Sequence, residues 1–453
     1  MAVNAEQSYI EIYNEFQKTL CAKSAPLLNQ YREEAFRAFK SAGFPSRRLE
    51  SHKYTDLTDA FAVNYGMNLN RIEYTINSSD LIKCEVQGIN SYLFFIVNDT
   101  FYCPASSQTE MEELRSKGVL IGSLNEYASS HPELVGQYYN KIVHADEEAT
   151  VAFNTTFAQD GFFLYVPENV RLEKPIQIIS VMHASMPTLA NARNLIVLKE
   201  NSEARVLVCA HTMEDVEFMS NRVTEVYVDR NAVYDHYKLE NTHSKSSAVS
   251  SLAIRQMQGS NVLVNDLTLH NGLTRNTVTI DLTEEHCETL LCGMAVGDGK
   301  QHVDNTTHIN HLAPNCKSNE MYKYVMDDES TGAFSGKIYV APHAQKTEAY
   351  QVNRNVCMKS TAKMYTKPQL EIYADDVKCS HGASTGQMDD NALFYLRSRG
   401  IPEAEAKMLL MFAFVNDVLE NVRISALKDK IKILVEKRFR GELSKCSGCN
   451  VCR

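Results

Sequence analysis

No apolar run in the 453 residues approaches 18, which excludes a helical membrane span. Basic charge is not in excess either. Lys and Arg number 46 against 56 Asp and Glu, a net charge of −10. That balance argues against non-specific nucleic-acid binding, which needs a basic footprint. The opening residues Met1 to Gln7 lack a basic start followed by an apolar core, so no signal peptide is expected and the cytoplasm is the expected location. Two catalytic signatures are also missing. There is no Gly-x-x-x-x-Gly-Lys-Ser/Thr phosphate loop and no Gly-x-Gly-x-x-Gly at a strand–helix joint. Intrinsic ATP hydrolysis through such a loop is therefore not expected, nor is independent enzyme activity.

What is present is an ordinary globular composition, 44% apolar and 23% charged. The length favours two or three domains. The twelve cysteines are Cys21, Cys84, Cys103, Cys209, Cys287, Cys292, Cys316, Cys357, Cys379, Cys446, Cys449 and Cys452. Without an export signal these thiols should stay reduced. Most of the nine scattered ones read as small buried apolar side chains.

Patterning divides the chain into an N-terminal helical and mixed domain (1–145), a strand-rich core (146–386) and a C-terminal helical domain with a Cys-rich tail (387–453). In the first zone Ile10, Tyr13, Phe16 and Leu20 fall at helical spacing, as do Leu27 to Phe39, with Gly43 and Pro45 as the stop. Residues 91–103 read as a strand pair. The second zone is a succession of β-branched runs such as Ile176–Val181, Ala204–Cys209 and Asn261–Leu269, separated by short polar turns. Strands without intervening helices leave a sandwich, barrel, propeller or solenoid. The scarcity of Asn-Gly and Asp-Gly hairpin turns favours a stacked β-helix, although no strict repeat is visible. In the third zone Pro402 opens a helix whose broad apolar face (Met408, Leu409, Phe412, Val415, Val418, Leu419, Val422) must be covered, from within the chain or by a partner groove.

Cys379 and His381 stand two apart in a strand-like stretch, so they share one face and could meet one metal centre. Two donors do not complete a site, and a second chain would have to supply the rest. The whole segment from Lys367 to Gly386, with Leu393 to Ile401, resembles the SufB/SufD family of iron–sulfur cluster assembly proteins. Gln351, Asn353, Arg354 and Asn355 resemble the family's Gln-x-Asn-Arg-Asn strand. Pro45, Arg47, Glu50 and Lys53 to Leu57 resemble its N-terminal element, with His52 where Trp is usual. Gly161 to Pro167, with Pro175 to Gln177, resembles the entry into its β-helix. His381-Gly382-Ala383 follows the SufD form of the junction, where the SufB form has His-Glu-Ala.

This resemblance covers essentially the whole chain and implies an α+β multidomain fold. A central right-handed parallel β-helix would be flanked by an N-terminal helical and mixed region and a C-terminal helical domain. It also implies a scaffold role in the SUF complex. A SufB-like chain would pair through the β-helix, and the ATPase SufC would bind the C-terminal helices. Iron or an iron–sulfur cluster would be held transiently at the subunit interface, with His381 and Cys379 lining it. A homodimer of the isolated chain and a reduced flavin in the complex, at no assigned residues, belong to the same set of expectations. A SufB-like scaffold paralogue is the near alternative. Cys357 lies one residue off the SufB cysteine spacing and reads as a core residue.

Other motifs are less telling. Cys446, Cys449 and Cys452, at i, i+3 and i+6, would suit thiolate ligation of iron or zinc, but they end the chain. His302, His308, His311 and Cys316 form a His-rich stretch that reads as polar residues on coil edges, since His308 and His311 would face opposite ways on a strand. A β-helix enzyme acting on a polysaccharide would need paired carboxylates. The nearest candidates, Asp375 and Asp376, are adjacent and so diverge.

Overall fold

The computed structural model describes residues 5–72 and 89–442. Cys84 and the tail cysteines Cys446, Cys449 and Cys452 lie outside these residues. Among the described residues, no helix is long and apolar enough to cross a membrane.

The centre is a parallel β-solenoid. Its strands alternate between two sheets, so each pairs with the strand two before and two after it. One sheet carries β5 (Ile176–Met182), β7 (Glu203–Thr212), β9 (Val233–Asn241), β11 (Asn261–His270), β13 (Glu288–Gly297), β15 (Lys317–Met326), β17 (Thr347–Cys357) and β19 (Val377–Gly386). The other carries β4 (Phe162–Val166), β6 (Thr188–Leu198), β8 (Phe218–Val228), β10 (Ser246–Gln256), β12 (Leu273–Leu282), β14 (His302–His311), β16 (Thr331–Val340) and β18 (Lys363–Ile372). The first sheet starts upstream of residue 146. Strand β1 (Tyr92–Val97) pairs in parallel with β5 and antiparallel with β2 (Thr100–Tyr102). Strand β3 (Leu120–Ser123) closes the second sheet antiparallel to β4.

The repeat that is hard to see in the sequence is plain in the stacking. Leu164, Ile196, Val226, Ile254, Ile280, Ile309, Ile338 and Leu370 lie one above the other in adjacent coils. Ile254 is followed by its partner Ile280 after 26 residues, and Ile338 by Leu370 after 32, so the period drifts. The drift is absorbed at the corners. One corner column puts Asn169, Asn201, Asn231, Gly259, His286, Asn315 and Lys346 at positive φ, a conformation that Asn and Gly adopt at least cost. Three of its asparagines form a side-chain ladder. Asn201 Nδ2 donates to Asn169 Oδ1 at 3.0 Å, and Asn231 Nδ2 donates to Asn201 Oδ1 at 3.2 Å.

Inward-facing side chains fill the space between the sheets with one long apolar core. Helices cover both outer faces. Helices α1 (Ala5–Ala22), α3 (Arg32–Ala42) and α8 (Ala149–Phe157) pack against Leu189, Met219 and Val249. Helices α2 (Pro26–Asn29), α6 (Leu124–Ser130) and α7 (Pro132–Gly136) continue that layer over Phe163, Leu195 and Val223. The Leu27–Phe39 pattern is therefore two helices, α2 and α3, broken at residues 30–31. Short α4 (Thr58–Phe61) and α5 (Gln108–Ser116) complete the N-terminal part. Helices α10 (Glu403–Glu420) and α11 (Ser425–Phe439) cover the outer face of the other sheet. Val415, Val418, Leu419 and Leu434 are buried against Tyr237, Leu263, Leu267 and Met294. Most of the apolar face read in the sequence is thus covered from within the chain.

The His-rich stretch reads differently in the structure. His311 is fully buried inside the solenoid, not at a coil edge. Its Nε2 lies 2.8 Å from Ser318 Oγ, and burial lowers its pKa to about 4, which keeps it neutral. His308 and His311 do point to opposite faces, and Cys316 is a buried corner residue.

Candidate functional site

One end of the solenoid is closed by the N-terminal strands and helices. At the other end, among the described residues, β18 and β19 are the last strands of their sheets and each has one unpaired edge. Burial falls accordingly, and β19 is exposed from Ser380 to Gly386. In β17 the odd-numbered residues Thr347, Ala349, Gln351, Asn353 and Asn355 are buried and point inward. Strand β19 lies in register above them, so Val377, Cys379, His381, Ala383 and Thr385 form the inward face of the last rung.

Cys379 and His381 therefore share a face, as the i, i+2 spacing predicts. Cys379 is half-buried against the inner core, and burial raises its thiol pKa, so it sits there as the protonated thiol. His381 is exposed above Gln351. Cys357 also faces inward but sits six strand positions beyond Gln351. That is roughly 20 Å away along the rung at ~3.3 Å per residue, so the structure does not bring it to the pair. Among the described residues, no three His, Cys, Asp or Glu side chains converge as a metal site. Asp375 and Asp376 sit at the corner before β19, where Asp376 uses its backbone to bond Gln345 and Lys346.

The interior behind this rim is polar. Asn355 Nδ2 donates to Asn353 Oδ1 at 2.7 Å and to Thr385 Oγ1 at 3.1 Å, and Thr366 Oγ1 donates to Asn353 Oδ1 at 2.8 Å. The Gln-x-Asn-Arg-Asn strand thus has a physical reading: its three amides line the inside and Arg354 faces out. One column is especially uneven. Ile176, Val206, His236, Val264 and Leu291 lead toward the rim and are followed by Glu320, Gln351 and His381. Glu320 is fully buried, and desolvation pushes its carboxyl up to about 7. Thr307 Oγ1 donates to it at 2.5 Å and Gln351 Nε2 at 2.7 Å. Glu320 is a site residue the sequence does not single out: it alternates with Ser318, Tyr322 and Tyr324 in β15, but its burial comes from the coils stacked around it.

The element from Pro45 to Leu57 is a strap along the outside of the sheet that ends in β18. Thr55 Oγ1 donates to the Asp304 carboxylate and lies 2.7 Å from His302 Nε2. Arg275 bonds Asp304 at 2.5 Å and the Ser51 carbonyl at 3.0 Å. Further along, Tyr54 stacks on Tyr365 with centroids 4.3 Å apart, and Glu50 pairs with Lys367. His52 is buried beneath the strap, and its pKa is lowered to about 3 by burial and by Arg275. Beyond β19, helix α9 (Asp390–Ser398) leaves Phe394 and Tyr395 exposed at 74% and 58%.

Comparison with known proteins covers most of the chain. Residues 3–178 match the family model described as SufBD protein N-terminal region. Residues 180–414 match that described as SUF system FeS cluster assembly, SufBD core domain. The iron–sulfur cluster assembly protein SufD of Escherichia coli is 27% identical over 424 residues, 92% of this chain and 94% of that protein. The Bacillus subtilis protein of the same name is 28% identical over 338 residues, 73% of this chain and 76% of its own. An iron–sulfur cluster assembly SufBD family protein of Synechocystis is 27% identical over 423 residues, 91% of each chain.

Proposed function

The chain belongs to the SufB/SufD family of iron–sulfur cluster assembly proteins, and from that premise we propose that it is the SufD-type scaffold subunit of a SUF complex. A SufB-like sister solenoid pairs with the open end, and the ATPase SufC docks on the C-terminal helices. Iron or the growing cluster is the cargo, held at the seam between the two solenoids by His381, with Cys379 beside it.

The observation that carries this reading is the open rim. An unpaired strand edge is a template for another chain and is normally blunted or covered. Here two such edges flank an interior that turns polar over its last rungs, with a thiol and an imidazole on the final one. A sister rung laid on β19 would complete the hydrogen-bond ladder and enclose those two donors with its own. The exposed Phe394 and Tyr395 of α9 support a second contact on the C-terminal helices.

His381→Ala tests the proposal. The exposed imidazole contributes no packing, so the variant is expected to co-purify with a SufB-like chain and an ATPase in wild-type ratio. Cluster yield after reconstitution should fall. A normal yield would remove His381 from the site, and the absence of both partners from the wild-type preparation would refute the scaffold assignment.

A further inference from the structure

Gln351 is 1% exposed, although it belongs to the rung next to the open end. Its amide is held from two sides. Nε2 donates to Glu320 Oε2 at 2.7 Å, on the rung below. The facing strand β16 has Gly336 at this level, where a Cβ would come within 2.3 Å of that same Nε2. Gly336 leaves room for the amide, and with Glu320 ionised its carboxylate fixes which way the amide lies, since a flipped amide would set its oxygen against the glutamate oxygen. The remaining atom, Oε1, is buried and has no hydrogen-bond partner. An orphaned buried acceptor is costly. The residue stacked directly above it, on the same face, is His381, which makes no side-chain hydrogen bond among the described residues.

We propose that Gln351 is a positioning residue for His381: its Oε1 accepts a ring N–H of the imidazole, fixing one tautomer and turning the other ring nitrogen, with its lone pair, toward the seam. A histidine ligand needs this kind of partner, because the atom behind the ring decides which nitrogen is free in front. Glu320 acts one step further back, by keeping Oε1 facing the rim, and Gly336 leaves the room that the amide occupies. The inference rests on the proposed function only for what the free nitrogen does. The hydrogen bond itself can be read without it.

The test uses the full chain labelled with 15N-histidine, at a pH above the Glu320 value of about 7 so that this carboxylate is ionised, with the His381 ring assigned by its loss in His381→Gln. Wild type is expected to show one neutral tautomer, with one ring nitrogen protonated and the other bare. Gln351→Leu, which keeps volume without an acceptor, should give averaged ring shifts. Gly336→Ala, which displaces the amide, should do the same. The exchanged pair Glu320→Gln with Gln351→Glu restores a donor below and an acceptor above, and should recover the single tautomer. Averaged shifts in wild type, or an unchanged tautomer in both Gln351→Leu and Gly336→Ala, would overturn the inference. Cluster yield in the reconstituted complex separates the two readings. Tautomer loss with normal yield leaves the hydrogen bond standing and removes His381 from cluster handling. An unchanged tautomer alongside lost yield in His381→Ala does the reverse.

Discussion

Glu320 makes a prediction about pH that can be worked through. Its carboxyl is buried between two coils and titrates near 7 rather than 4.5. Below the lower value both folded and unfolded chains hold the proton, and the group is neutral in its effect. Between about 4.5 and about 7 the folded chain keeps a proton that the unfolded chain has released, so stability falls as pH rises through this window and levels off above it. At 1.36 kcal/mol per pKa unit the full penalty is about 3 kcal/mol. Glu320→Gln removes the ionisation and keeps both contacts. The new amide oxygen can accept from Gln351 Nε2, and its nitrogen can donate to Thr307 Oγ1. Relative to wild type, the variant should therefore gain about 3 kcal/mol between pH ~4.5 and pH ~8.5, on the same linkage argument. Urea unfolding of both proteins at the two pH values measures the difference. A stability difference that does not change with pH would mean that the Glu320 carboxyl is not desolvated, and the buried polar column would have to be redrawn.

Other perturbations probe other parts of the molecule. Glu225 is fully buried, accepts from the backbone of Asn140, Lys141 and Ile142, and pairs with Arg193 at 2.7 Å. Glu225→Ala leaves that arginine uncompensated and should cost ~3–5 kcal/mol by denaturant titration; a loss under ~1 kcal/mol would show that the pair is not sealed from water. Gly161→Ala places a Cβ 1.9 Å from the Arg193 carbonyl oxygen, so the strand must move and the soluble yield should collapse. Wild-type solubility and melting temperature would contradict that packing. A chain lacking residues 446–453, and with them Cys446, Cys449 and Cys452, should still assemble with its partners but hold less iron as isolated. Loss of the complex would give the tail a structural part it is not assigned here.

Much of the architecture was legible because solenoid strands declare themselves by β-branched runs and short polar turns, and the helices by their periodicity. The coil repeat was not, since its length drifts between Ile254–Ile280 and Ile338–Leu370. A better signal was present in Asn169, Asn201 and Asn231, where a left-handed corner needs the same residue type in successive coils. Cys379 and His381 could be placed on one face from their spacing alone. Gln351 was visible only as part of a family pattern, and Glu320 not at all, because burial of a charged residue follows from stacking, which no local window contains. His311 failed for the same reason: a histidine on a strand reads as surface until the coil above closes over it.

The strap from Pro45 to Leu57 behaves as a ruler. It touches β12 through Arg275, β14 through Asp304 and, past β16, β18 through Tyr365 and Lys367, in a sheet whose adjacent rungs lie about 4.8 Å apart. A solenoid can in principle gain or lose a coil by duplication without upsetting its neighbours. Here an added coil between β12 and β18 would carry Tyr365 and Lys367 out of reach of Tyr54 and Glu50, so the N-terminal segment holds the count of coils between those two strands at one value.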